Sequence, residues 1–176
     1  MGFTLHLHTC NLGTAVRTCR NPFTKELVTV PIDHGLTKSE RQAVTELLEE
    51  VGAGEPDPDT YCRVELPDGT YVNVAVGTLA DVDVARVAFA VECSALSLEV
   101  VAFVYALASW GNLSIGSSID PEVVALPHRR QWDRVSKRWP KASVVESPSE
   151  LKVWLKQNLL AGRIVRSRKC RTSDCS

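Results

Sequence analysis

A chain of 176 residues with 44% hydrophobic and 23% charged side chains and a net charge of −1 has the composition of an ordinary folded domain, long enough to bury a substantial core without staples. The longest apolar stretch, residues 95–108, is broken by Ser97 and Glu99 and falls short of the roughly 20 residues that span a bilayer, so no membrane segment is expected. No basic-then-apolar leader opens the chain and position 6 lacks the Ser or Thr of an acylation signal, which predicts a cytoplasmic protein whose six cysteines are reduced thiols.

The first element is TLHLHTC, residues 4–10. Strand periodicity places Phe3, Leu5 and Leu7 toward a core and His6, His8 and Cys10 on the opposite face. Residues 11–21 are polar and read as a loop, and ELVTVPI, residues 26–32, reads as a strand that ends at Pro31. TKSE, residues 37–40, is a capping box opening a helix whose stripe is Val44, Leu47, Leu48 and Val51 and whose stop is GAG. Beyond a stiff acidic EPDPD connector, CRVEL and TYVNVAV alternate around PDG, the clearest hairpin in the chain. Cys62, Val64 and Leu66 share one face of it with Val72, Val74 and Val76.

Residues 86–91 predict a further strand, and residues 94–109 a helix that is apolar nearly all round and hence central. Its lone charge, Glu99, lies where the helix dipole favours an anion. Short strands at 113–115 and 123–126 precede a helix over 128–139 with Trp132, Val135 and Trp139 inward and Arg130, Arg134, Lys137 and Arg138 outward. ASVVE reads as a strand, and SPSE, residues 147–150, as a second capping box before a helix that packs Leu151, Trp154, Leu155 and Leu159 and stops at Gly162. The pattern predicts an α+β fold: a single domain over residues 1–162, with an antiparallel sheet and hairpin in its N-terminal half, a central buried helix and a C-terminal strand-helix-strand-helix segment. Residues 163–176 form a basic, cysteine-containing tail.

Charge is unevenly spread. Residues 1–127 carry 7 Lys and Arg against 17 Asp and Glu, a net of −10, and residues 128–176 carry 13 against 4, a net of +9. Oppositely charged patches steer association, with another protein or between copies of the chain. Small bacterial immunity proteins that neutralise a cognate toxin offer an analogy of size and charge, without a shared motif.

Two histidines flanking one residue on a strand can present two imidazoles to one point. LHLHT resembles the first metal-binding strand of the PHP and amidohydrolase families, where His-x-His at a strand end supplies two ligands to a hydrolytic metal centre. The resemblance covers five residues, with His6 and His8 as the matched pair. Those families are barrels with further His and Asp ligands, and only His34 and His128 remain here, so their activity is not carried over. Zinc held by His6, His8 and Cys10, completed by Cys19 or by Cys170 and Cys175 of the tail, is the metal-binding alternative. Glycine-rich phosphate loops, a nucleophile elbow and a helical His-Glu-x-x-His are absent. DHG, residues 33–35, reads as a turn. A third class, nucleic-acid binding through the basic helix and the tail, meets an acidic first two-thirds and a sequence pI near 6.4. The leading expectation is therefore a non-enzymatic cytoplasmic module that binds another protein or itself, with Arg130, Arg134, Lys137 and Arg138 as partner-binding residues and no required cofactor.

Overall fold

Alternation of apolar and polar residues draws the strands of this protein into one main sheet, seen in a computed structural model that describes residues 3–13, 16–20, 25–31, 34–53, 61–75, 88–117 and 122–160. In chain order the elements are β1 (Phe3–Thr9), β2 (Val16–Arg20), β3 (Leu27–Pro31), α1 (Lys38–Glu50), β4 (Tyr61–Glu65), β5 (Tyr71–Ala75) and β6 (Ala88–Cys93). There follow α2 (Leu98–Trp110), β7 (Leu113–Ser117), β8 (Val124–Leu126), α3 (Arg129–Val135), β9 (Ser143–Val144) and α4 (Pro148–Leu155), which runs on into a π-helical turn, Lys156–Leu160. The architecture is α+β. Seven strands pair in the order β4-β5-β6-β1-β7-β8-β9, antiparallel except for the parallel β8–β9 pair, and β2 and β3 form a separate two-stranded ribbon.

Strand β1 lies near the middle of the sheet, between β6 and β7, with Leu7 opposite Phe89 on one side and Ile115 on the other. One face of the sheet carries the main core: Leu5, Leu7, Val64, Val72, Val74, Phe89, Val91 and Ile115 are all fully buried. Helices α1, α2 and α4 contribute Val44, Val104, Leu107, Leu151 and Leu155 to the same cluster. The expected faces of the hairpin hold, with Cys62 opposite Val74 and Val64 opposite Val72, and Gly69 takes the positive φ of 76° that its turn requires. Cys62 and Cys93 are buried in this core and bear no disulfide.

A second, smaller cluster lies on the other face. Cys10, Val124, Leu126 and Val135 are buried there with Trp139 and Ala142, and Trp132 packs against them half-buried. In β8 the alternation is explicit, since Ala125 belongs to the main core and its neighbours Val124 and Leu126 to the second cluster. Helix α3 packs on this face against β8 and the residues that follow β1.

Both helix-start signals act through their side chains. Thr37 Oγ1 accepts from Glu40 N at 3.2 Å and Glu40 Oε2 accepts from Thr37 N at 2.8 Å, a complete box. In the second, Ser147 Oγ accepts from Glu150 N, but the Glu150 carboxylate reaches back to Glu146 N at 2.7 Å instead of to the cap residue.

Three expectations need correction. Residues 16–20, read as loop, form β2, because a two-stranded ribbon needs only backbone pairing with β3 and no apolar face. Helix α2 begins at Leu98, not at residue 94, because the Ser97 hydroxyl accepts from Val100 N and so caps it there. Helix α3 ends at Val135, and residues 136–139 follow as hydrogen-bonded turns that still place Trp139 in the second cluster. Residues 54–60, 76–87 and 161–176, with the acidic connector and the tail, lie outside the described residues, as do the side chains of Cys19 and Leu159.

Gly111, which follows α2, is fixed by close approach. A β-carbon there would meet Leu113 Cδ1 at 2.9 Å and both Leu107 O and Val44 Cγ2 at 3.0 Å. Gly111→Ala should therefore cost about 1–3 kcal/mol through overpacking between α1 and α2, read as a lowered urea midpoint with an unchanged slope.

Candidate functional site

Four segments that are far apart in sequence meet behind α3 through polar side chains. Asn11 Nδ2, just after β1, donates to Glu40 Oε2 on α1 at 2.7 Å and to Gly35 O at 3.2 Å. Asn11 Oδ1 accepts from Asn112 Nδ2 at 2.9 Å, and Asn112 Oδ1 accepts from Gln131 Nε2 at 3.0 Å. Gln131, only 1% exposed, closes the chain by accepting the backbone N–H of His128 at 2.9 Å. One end is a carboxylate that only accepts and the other a backbone N–H that only donates, so the direction of every bond between them is fixed and all three amides have one orientation. Asn112 holds its place with a φ of 51°, a left-handed conformation that asparagine tolerates better than most residues.

This spine supports a cleft of about 610 Å³ between the Asn11–Gly13 segment and α3. Its apolar wall is Cys10, Leu12 and Gly13, and its rim is His34, Arg134, Lys137 and Arg138. His34 is set there by its backbone, N–H to Asn11 O at 2.8 Å. The Arg138 guanidinium lies 5.1 Å from the centre of the Trp139 ring, a cation–π contact that restricts its position. A smaller cavity of about 230 Å³ adjoins, where Arg130 and Arg134 face Asn112 and Glu40. Three of the expected partner-binding residues, Arg134, Lys137 and Arg138, thus share one cleft, and Arg130 stands in the next cavity beside Arg134.

The histidine strand is arranged differently from the cleft. His6 is half-buried and His8 exposed, with ring centres 6.4 Å apart, and His8 also lies 6.3 Å from the Trp139 ring. Cys10 is completely buried in the second apolar cluster. Burial, reinforced by the Glu40 carboxylate and opposed by Arg134, pushes its thiol up to about 12. A thiol held protonated is a poor nucleophile near neutral pH. Among the described residues, no group of three or more His, Cys, Asp and Glu side chains is placed to hold a metal ion. Cys170 and Cys175, the tail ligands considered from sequence, lie outside the described residues.

The raised thiols carry a pH dependence. Cys10 titrates at about 12 and Cys93 at about 11 in the folded protein, both raised by burial from 9.0. Because the folded state holds these protons more tightly, their stabilisation is complete below pH 9 and is lost as pH rises toward 11 and 12. Stability by urea unfolding under reducing conditions should fall above pH 9, by up to about 1.4 kcal/mol per pH unit for each thiol, and less steeply in Cys10→Ala.

From sequence, His34 falls in the 33–35 turn, and neither it nor Asn11, Asn112 or Gln131 is given a role in a site. Glu40 was legible only as a cap, and its second role depends on Asn11 arriving from 29 residues away. Compared with protein families, curated proteins and solved structures, the chain matches none.

Proposed function

We propose that the protein is a cytoplasmic binding module that recognises an acidic surface of another protein through the cleft edge of α3. The observation that supports this best is the convergence of Arg134, Lys137 and Arg138 with His34 around one cleft that, among the described residues, has no carboxylate in its lining. Charges gathered in this way steer an oppositely charged partner and set its register. The buried Cys10 thiol gives the cleft an apolar, chemically inert wall, suited to holding a ligand more than to transforming it. The spine from Glu40 to Gln131 keeps the cleft in shape before binding, which lowers the cost of ordering it.

The test is capture on the immobilised full chain from an extract of the native host. At about 0.1 M salt a specific protein should be retained, and at about 0.5 M it should be released, because rim charges are screened. Self-association would show instead as a concentration-dependent mass in light scattering with no foreign protein held. A monomer at every concentration that retains nothing from the extract would overturn the reading. Stoichiometric zinc in tag-free protein would support the metal reading of His6 and His8 in its place.

A further inference from the structure

The cleft is selective in its chemistry as well as its charge, and this inference rests on the binding role proposed for it. Its volume of about 610 Å³ lies within the range of small-ligand sites. One wall is apolar, from Cys10 and Leu12, and the opposite rim is cationic, so an occupant that satisfies both is an anionic group on an apolar stem. The side chains of Arg134 and Lys137 make no hydrogen bond or ion pair among the described residues, which leaves their donors available. Glu40 shares the adjoining cavity with Arg134 and is not part of the cleft's lining. Its Oε2 is taken by Asn11 Nδ2 at 2.7 Å and Thr37 N at 2.8 Å.

The number of cations decides between kinds of anion. A single carboxylate answers only one of the two cations Arg134 and Lys137, whereas a phosphate monoester brings close to two negative charges and three acceptor oxygens. A guanidinium matches two of those oxygens at once and an ammonium takes a third as a point charge. By contrast, the open depression of about 730 Å³ beside β1, β5 and β6 carries Glu92 and, among the described residues, no cation in its lining. We propose that the cleft formed by Cys10, Leu12, His34, Arg134, Lys137 and Arg138 is a binding site for a phosphate monoester carried on an apolar or aromatic group. The same chemistry is offered by a phosphorylated side chain of a protein partner and by a free organic phosphate.

The probes are phenyl phosphate, benzoate and inorganic phosphate, titrated into the full chain and followed by calorimetry and by the fluorescence of its tryptophans. Phenyl phosphate should saturate with a dissociation constant in the millimolar range or tighter, at least about tenfold below that of benzoate and of inorganic phosphate. Arg134→Gln should weaken it by at least about tenfold with an unchanged melting temperature, and Lys137→Ala should act in the same direction. Glu92→Gln, in the other depression, should leave it unchanged. Equal binding of benzoate and phenyl phosphate, no saturation below about 10 mM, or indifference to Arg134→Gln would each overturn the proposal. The source is told apart by treating the host extract with phosphatase before capture: loss of the retained protein assigns the phosphate to the partner's side chain. Phenyl phosphate binding with nothing retained from untreated extract assigns it to a free organic phosphate and removes the protein-binding reading alone. A protein retained in an Arg134-dependent way, with no phenyl phosphate binding, removes this inference and leaves that reading standing.

Discussion

Gln131→Leu should destabilise the protein by about 2–4 kcal/mol, although leucine fills nearly the same volume and Gln131 touches no proposed ligand. The side chain is 1% exposed and serves two groups, accepting from His128 N at 2.9 Å and donating to Asn112 Oδ1 at 3.0 Å. Leucine leaves both of these part-buried groups without that partner, and each such loss costs about 1–3 kcal/mol, more than the apolar side chain returns by burial. Gln131→Glu is the informative companion. It keeps an acceptor for His128 N but sets a second acceptor against Asn112 Oδ1, and rotating the Asn112 amide to donate would turn its oxygen onto Asn11 Oδ1. Asn11 would then have to turn its own nitrogen away from Glu40 to answer it, so the mismatch travels along the spine with no stable resting place. Both variants should lower the urea midpoint, whereas Glu40→Gln, which retains an acceptor for Asn11 and Thr37, should cost less than about 1 kcal/mol. A neutral Gln131→Leu would mean that the spine does not hold the cleft together.

Arg134→Gln combined with Lys137→Glu should reduce affinity for the captured partner at least about 100-fold and change stability by no more than about 0.5 kcal/mol. The two effects separate because neither side chain is tied into the fold: among the described residues, neither makes an ion pair or hydrogen bond, and both are exposed. Arg130 and Arg134 stand four residues apart on α3, where like charges repel by a few tenths of a kcal/mol, so removing one should not harm the helix. Loss of binding with an unchanged melting curve assigns these residues to recognition. Equal loss of both would place them in the architecture.

The elements whose sequence carries its own physical instruction were legible. Thr37 with Glu40, the Pro67–Gly69 turn, and the alternation of Cys62, Val64, Val72 and Val74 each specify a local structure that tertiary packing then retains. β2 was not, since polar residues give no alternation to read and pairing with β3 is invisible until both are placed. The site divides in the same way. Arg134, Lys137 and Arg138 were legible because a charged face opposite Trp132, Val135 and Trp139 has a helical period. His34 and the three amides were not, because Asn11 and Asn112 are 101 residues apart and become neighbours only when β1 pairs with β7. Cys10 shares strand parity with His6 and His8, yet it ends in the second apolar cluster while His8 stays exposed, because α3 and Trp139 pack against the residues that follow β1.

Backbone amide hydrogen exchange of the full chain, alone and with its captured partner, tests the location of the binding surface most directly. The proposal predicts slowed exchange concentrated in residues 11–13, 34–35 and 130–138, the segments that border the cleft. Slowed exchange confined to β4 and the 66–70 turn, with those three segments unchanged, would contradict it.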